Sequence, residues 1–406
     1  MDNTALRQLA QQHPSFYLYD QAAIVSAIAT LKTNFPTVDF LYSAKTNPHD
    51  KVVETIATQG FGIDAASVAE VMLGVQNGVP KEKIQFSAPG KTMENLADTV
   101  DHAIIIADSF HELDQLHQLA QERNTVLNIG IRINPNFGFD GGASCSKFGI
   151  DQDQLFAQLP TLLQQEHLNI VGLHCHLRSQ SLDVDLLHQY HKNLLALALE
   201  FQTALGHPLQ FLNMGSGIGI PYGTTDTEVD VAALGAVTTA ALTALQSALP
   251  QTKFYIETGR YVVGKAGVYV TRVLDKKVSH GTTMIILCNT LNGFIRPSIE
   301  QMVTGYTTQD SPHNSEPLFT SKGAFQFTAL TDSITFETVT LMGNLCTAMD
   351  VMAKNLTLPT LEIGDSVMVN NAGSYAAVLS PVQFSSQQKP VELFLTSHGQ
   401  ILTPFH

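Results

Sequence analysis

Eight short apolar runs alternate with amphipathic helical stretches between Val38 and Glu257, and that alternation restricts the chain to few architectures. The runs are 38–43, 62–65, 84–86, 103–106, 126–133, 170–174, 211–214 and 254–257. The segments 49–59, 66–76, 92–100, 109–123, 152–165 and 183–205 between them carry apolar residues at helical spacing. In the first of these the apolar residues are Val52, Val53, Ile56 and Ala57, and Gly60 follows its end. A further helix is expected over 21–34, before the first run. Strand–helix units in this number, spread over roughly 230 residues, have the size and order of a parallel (β/α)8 TIM barrel.

The rhythm changes near Gly267. Segments 268–273, 283–288, 333–342 and 365–370 read as strands with no long helix between them. Segment 343–356 reads as a glycine-opened loop with a helical turn, and Pro312, Asn314 and Pro317 mark a polar loop. A C-terminal β-rich domain is therefore expected, recruiting the aromatic strand Phe16-Tyr17-Leu18-Tyr19. The expected division is 24–266 for the barrel, and 1–23 with 267–406 for the β-rich domain.

Of 406 residues, 44% are hydrophobic, enough for a large core, and only 14% are charged. The net charge of -14 repels polyanions and argues against a nucleic-acid partner. Cys145, Cys175, Cys288 and Cys346 show no metal-binding spacing and suit reduced thiols in the cytoplasm. Residues 1–13 lack the apolar core of a signal peptide, and no run is long enough to span a membrane.

In a barrel of this type the C-terminal ends of the strands carry the chemistry. Polar residues collect there in order: Lys45; Asp64 and Ser67; Ser87 and Lys91; Asp108; Arg132 and Asn134; His174 and His176; Gly215, Ser216 and Gly217; Glu257 and Arg260. Asp64, Asp108 and Asn134 would equally suit helix caps. Lys45 ends the first strand run, where a lysine can serve as a nucleophilic amine; the plainer reading is a surface lysine. The stretch Asn213-Met214-Gly215-Ser216-Gly217-Ile218-Gly219-Ile220-Pro221-Tyr222 exposes backbone amides suited to a phosphate, or is simply a tight turn. A lysine to form an imine, a phosphate cradle and a carboxylate to keep a pyridine nitrogen protonated are together what pyridoxal 5'-phosphate needs. A buried Lys45–Glu257 ion pair is the structural alternative, and it leaves the glycines unexplained.

These residues lie in motifs that resemble the fold-type III pyridoxal-phosphate decarboxylases, the group of diaminopimelate and ornithine decarboxylases, over nearly the whole chain. The motifs are Tyr42-Ser43-Ala44-Lys45-Thr46-Asn47, Gly62-Ile63-Asp64-Ala65-Ala66-Ser67, Arg132-Ile133-Asn134-Pro135, Ser146-Lys147-Phe148-Gly149 and Gly172-Leu173-His174-Cys175-His176. They continue with Gly215-Ser216-Gly217, Glu257-Thr258-Gly259-Arg260, Arg296-Pro297, Gly343-Asn344-Leu345-Cys346 and Gly373-Ser374-Tyr375. The resemblance implies the alanine-racemase-like pairing of barrel and β-rich domain, and a homodimer with shared active sites. It assigns Lys45 to the cofactor linkage, His176 to the ring face and Glu257 to the pyridine nitrogen. Gly215, Ser216, Gly217, Gly259, Arg260 and Tyr375, with Ser179 as a helper, would hold the cofactor's phosphate end. Cys346 would come from the partner subunit and reprotonate Cα, although without the motif it reads as a buried structural thiol. Alanine racemases place an arginine at the pyridine nitrogen, so Glu257 argues for decarboxylation.

The departures concern substrate. Relatives acting on diamino acids follow the cysteine with Asp or Glu, which grips the distal ammonium, whereas this chain has Thr347. Losing a hydrogen bond to a charged group, roughly 1.5–3 kcal/mol, should cost about one to two powers of ten in affinity. Thr347 with Asp350 resembles decarboxylases of conjugated amino acids, such as the butirosin-pathway enzyme acting on a carrier-bound glutamyl group. Arg296 keeps the diaminopimelate-like arginine, while Glu300 replaces a usual tyrosine and is a candidate ammonium ligand. Arg178 stands where glycine is common, as a second carboxylate ligand or an obstruction, and Cys288-Asn289-Thr290 stands where Asp-x-Gly is common. The expected function is decarboxylation of an acylated or conjugated amino acid, with an acyl carrier protein as a candidate substrate carrier. The competing readings are a diaminopimelate or ornithine/lysine decarboxylase of primary metabolism, and a catalytically silent partner subunit.

Overall fold

The computed structural model describes residues 3–139, 141–215, 217–223, 225–306 and 323–403. Contacts divide the chain into two compact units, one of Val25–Gly219 with Val229–Gly259, the other of Met1–Ile24, Ile220–Glu228 and Arg260–His406.

The first unit is a closed barrel. Its parallel strands are Asp39–Ser43, Gly62–Ala65, Ile84–Phe86, Ile104–Ala107, Leu127–Asn134, Leu168–His174, Phe211–Asn213 and Lys253–Thr258. The last pairs with the first, setting Tyr255 opposite Asp39 and Thr258 opposite Tyr42, which closes the ring. Gly62–Ala65 is buried at every position, as expected of a strand covered on both faces. Phe211 packs inside with Leu41, Ile106, Val171 and Tyr255. Gly172 and Gly130 make the room for its ring: a β-carbon at Gly130 would lie 2.8 Å from it, and one at Gly172 would overlap it.

The helices begin where their caps specify. The Ser67 and Ser109 hydroxyls accept from the third residue of their helices, and Thr92 and Asn95 form a reciprocal capping box. Asp183 caps Val184–Leu205, which ends at Gly206 in the left-handed region, and Asp230 caps Val231–Leu245. None of Asp64, Asp108 or Asn134 caps a helix. Their side chains turn instead to other strand ends, as described below.

In the second unit the 13-residue strand Gly267–Ser279 is the spine of a nine-stranded sheet. It pairs antiparallel with Ser15–Asp20, Thr282–Leu287 and Ser366–Val369. Ser15–Asp20 is thereby a sheet strand, paired on its other side with Val391–Leu395. Its inward residues Phe16 and Leu18 join Leu6, Ala10, Val270, Leu330 and Leu393 in the core.

Two expectations fail here. The helix Ile295–Tyr306 lies between strands where no long helix was expected. Its Pro297 stands in the first turn, where a missing N–H costs little, so proline was no barrier. The strand Val351–Pro359 runs through the segment read as a loop with a helical turn. Register shifts along its pairing with Phe336–Gly343 interrupt the in–out alternation that would have marked it. The polar loop at Pro312, Asn314 and Pro317 lies outside the described residues. Among the described residues no helix is long and apolar enough to cross a membrane.

Candidate active site

At the C-terminal end of the barrel, strands one, two, three, five, six, seven and eight contribute to a polar cluster centred on Glu257. This carboxylate is buried; one oxygen accepts from His174 Nε2 at 2.8 Å and from Asn213 Nδ2 at 3.0 Å. The other oxygen lies 3.9 Å from His176 Nδ1. Asn213 Nδ2 also donates to Gln85 Oε1 at 2.7 Å, tying strands three, seven and eight together. Burial alone would raise the pKa of Glu257, but hydrogen-bonded His174, then His176 and Lys45, outweigh it and hold the carboxyl below its ordinary range. Burial dominates for His176 and lowers it to about 4, with Arg132, Lys45 and His174 adding to the effect against the opposing Glu257. His176 is therefore neutral at neutral pH, and its Nε2 lies 3.3 Å from Ser179 Oγ.

Lys45 sits on a short 3-10 turn, Ala44–Thr46, directly after the first strand. Its Nζ pairs with Asp64 Oδ2 at 3.1 Å, and its side chain is 43% exposed. Asp64 also accepts from Ser43 Oγ at 2.8 Å and Ser87 Oγ at 2.6 Å. Lys45 is thus an exposed lysine, and its amine is steered by a buried, triply bonded carboxylate. The Lys45–Glu257 ion pair is not formed, because Asp64 and His174 respectively take its place. Arg132 donates to the carbonyls of Ser87 and His176 and lies 3.7 Å from Asp108, whose pKa burial raises. Asn134 bonds Asp151 and the Ser144 carbonyl, which pins the loop after strand five.

In the glycine turn, Gly215 has φ +65° and its N–H donates to Asn213 Oδ1 at 2.9 Å. A β-carbon there would collide with the Cys175 carbonyl. The Gly215 amide is thus spent on orienting Asn213 beneath Glu257, while its carbonyl accepts from the Glu257 N–H. Gly217 accepts from the Ser181 N–H, and Ser216 lies outside the described residues. Gly259 packs against Thr46, leaving no space for a side chain. Arg178 stacks 5.6 Å over the Phe139 ring.

The second unit holds a different cluster. Arg260 Nη1 and Arg296 Nη1 both donate to the Tyr222 hydroxyl, at 2.9 and 3.2 Å. Tyr222 Oη lies 3.3 Å from Ser374 Oγ, and Arg296 also reaches the Ser374 carbonyl. The Tyr375 ring, on a residue with φ +52°, faces the Arg260 guanidinium at 4.8 Å. Both arginines are buried. Burial would raise the Tyr222 pKa, yet Arg260 and Arg296 lower it to about 7. Arg260 Nε and Nη2 and Arg296 Nε are buried with no hydrogen-bond partner, and no carboxylate pairs with either arginine among the described residues. Two buried cations with unused donors fit a phosphate or carboxylate ligand.

The loop 344–350 in the same unit presents Cys346, which is exposed, contrary to the expectation of a buried structural thiol. Asp350 is its internal anchor: it accepts from the backbone N–H of Leu345 and Leu291 and from the Thr290 hydroxyl. The Thr290 departure is therefore a structural partner of Asp350. Thr347 Oγ1 accepts from the Met349 N–H at 3.3 Å. Glu300, buried on the helix Ile295–Tyr306, accepts from the Gly323 N–H at 2.7 Å. Among the described residues no cluster of His, Cys, Asp or Glu could hold a metal ion. Gln85 carries no signal in the sequence, and Asn213 and Tyr222 carry only that of being the two ends of the glycine-rich stretch.

The family model of the pyridoxal-dependent decarboxylases, pyridoxal-binding domain, matches residues 21–264. Over 93% of this chain and 88% of its relative, the sequence is 30% identical to the L-glutamyl-[BtrI acyl-carrier protein] decarboxylase of Niallia circulans. It is 28% identical to the 2-[(L-alanin-3-ylcarbamoyl)methyl]-2-hydroxybutanedioate decarboxylase of Staphylococcus aureus, over 95% and 96% of the two chains. It is 27% identical to the diaminopimelate decarboxylase of Aquifex aeolicus, over 94% and 86%. The fold matches the crystal structure of diaminopimelate decarboxylase from M. jannaschii with a TM-score of 0.86 at 21% identity, covering 98% of this chain and 90% of that one. A carboxylate kept ionised, a steered lysine and an anion-seeking arginine pair agree with this likeness, and the chain belongs to the pyridoxal-phosphate-dependent amino acid decarboxylases.

Proposed function

We propose that the enzyme decarboxylates an amino acid whose side chain is acylated or otherwise conjugated, within a specialised biosynthetic pathway. One observation carries this reading: the residue after Cys346 is Thr347, and the single carboxylate of that loop, Asp350, is consumed in holding the loop together. The loop therefore offers a neutral surface to a distal group. The relatives named for a carrier-bound glutamyl group and for an alanine-derived amide support the reading. The diaminopimelate reading draws on the buried Arg296 and on the diaminopimelate-named relatives.

Bound pyridoxal phosphate supplies the electron sink for loss of carbon dioxide. Lys45 is the attachment point, and Asp64 directs its Nζ. Glu257, kept ionised, holds the proton on the pyridine nitrogen. Neutral His176 offers a flat face to the ring. Arg260 and Tyr375 receive the phosphate, with Gly217, Gly259 and Ser179 as further candidates from the motif; the Gly215 amide, bonded to Asn213, is not available to it. Arg296 receives a carboxylate, and Cys346 delivers a proton to Cα within a homodimer. Arg178 and Glu300 are proposed to line the substrate side. The four free thiols support a reducing, cytoplasmic setting, and a carrier protein is a candidate partner.

Carbon dioxide release from a panel tests this. The panel sets free diaminopimelate, ornithine and lysine against carrier-linked glutamate and citryl-diaminopropionate. Turnover confined to the conjugates is the expected result; fast turnover of a free diamino acid overturns it.

A further inference from the structure

Tyr222 carries no role in the reading above, yet it lies at the centre of the arginine cluster. A phenol oxygen can accept two hydrogen bonds and donate one. Here it accepts from Arg260 Nη1 and from Arg296 Nη1, and Ser374 Oγ lies 3.3 Å away as its third partner. Its capacity is filled. The ring does further work, since the Arg296 guanidinium lies 4.7 Å and that of Arg260 5.6 Å from its centroid. The backbone N–H groups of Tyr222 and Gly223 donate to Asp226 Oδ2, at 3.0 and 2.9 Å, so the residue itself is held in place. Gly264, whose hypothetical β-carbon would meet Ile220 and the Arg260 carbonyl, lets this segment approach the short helix Arg260–Val263 closely.

We propose that Tyr222 is a positioning residue that locks Arg260 and Arg296 into one anion-binding array, with Arg260 presented to the cofactor's phosphate and Arg296 to a substrate carboxylate. The assignment rests on the cofactor reading above but not on the choice of substrate. Without the hydroxyl, two buried guanidinium N–H groups lose their acceptor and each arginine is free to reorient. Phosphate affinity and substrate affinity would then fall together, although Tyr222 need touch neither ligand.

The test uses the full-length enzyme stripped of cofactor and titrated with pyridoxal 5'-phosphate, with pyridoxal, and with inorganic phosphate as competitor. Tyr222→Phe is expected to weaken pyridoxal 5'-phosphate and inorganic phosphate by roughly tenfold to a hundredfold, the loss of charge-assisted hydrogen bonds. Pyridoxal, which lacks the phosphate, should bind as before. With the cofactor saturating, the KM for substrate should rise more than kcat falls. Ser374→Ala should act in the same direction and more weakly. Unchanged phosphate affinity in a folded Tyr222→Phe protein overturns the proposal, as does an equal loss for pyridoxal. If Tyr222→Phe does not fold, unchanged phosphate affinity in Ser374→Ala overturns it. A wild-type enzyme that binds pyridoxal 5'-phosphate but turns over no conjugate removes the substrate reading and leaves this titration decisive.

Discussion

The polar cluster at the barrel mouth and the arginine cluster of the sheet unit are both buried, and they are built on opposite rules. At the barrel mouth the charges are answered by the protein itself: Glu257 by His174 and Asn213, Asp64 by Lys45 and two serines. In the sheet unit two guanidiniums share one phenol and keep donors without partners. A buried carboxylate met by such donors stays ionised without an added ligand. A buried, under-bonded cation carries a desolvation cost that an incoming anion offsets. The first arrangement is suited to chemistry and the second to capture.

Four changes would break or sharpen that contrast. Lys45→Ala should abolish carbon dioxide release, on the order of a thousandfold or more, with the far-ultraviolet spectrum and melting point retained. Retained turnover would place the chemistry elsewhere. Glu257→Gln keeps the shape and removes the charge, so turnover should fall roughly a hundredfold to a thousandfold in single-turnover assays with cofactor saturating. Arg260→Ala should act on capture instead, raising the cofactor's dissociation constant about tenfold to a hundredfold in a fluorescence titration. If turnover at saturating cofactor fell equally far, the contrast would dissolve. Thr347→Glu should gain about tenfold in kcat/KM for ornithine or lysine over the unaltered enzyme.

The smallest effect is on stability. Burial lowers His176 and His191 to about 4, and His191 is fixed to Thr238 Oγ1 at 3.0 Å. Their folded pKa values lie below the unfolded value, so the unfolded chain takes up protons first as the medium is acidified. Stability should therefore be level above about pH 6.5 and fall toward pH 4. Urea midpoints across that range should flatten in His191→Gln; an unchanged slope would exclude His191 as a contributor.

Much of the barrel was legible because its signals are local. Ser67, Thr92, Ser109 and Asp183 announce helix starts, and short apolar runs between helices leave little alternative to a parallel sheet. The sheet unit was less legible. Bulged pairing hid the strand Val351–Pro359, and an Arg-Pro motif drew attention away from the helix it begins. At the site, Lys45, His176 and Glu257 stand at strand ends and could be listed from the sequence. What they are bonded to could not. Asp64 offered a cap or a site residue equally well until Ser43, Lys45 and Ser87 were seen around it, and Gly215 gave no sign that its amide is already taken. Tyr222 and Asp350 were obscure for the same reason: each acts through partners tens of residues away in the chain.

The engagement of Asp350 separates two tasks that a single loop could have merged. Its carboxylate fixes the path of the backbone around Cys346, so the neighbouring position carries no structural duty through an acidic side chain. Exchanging Thr347 then removes one loop hydrogen bond, from the Met349 N–H at 3.3 Å, and leaves the Asp350 anchor in place. Such a loop is a socket: Asp350 sets its path, and the exposed thiol of Cys346 is displayed on it beside the Thr347 position.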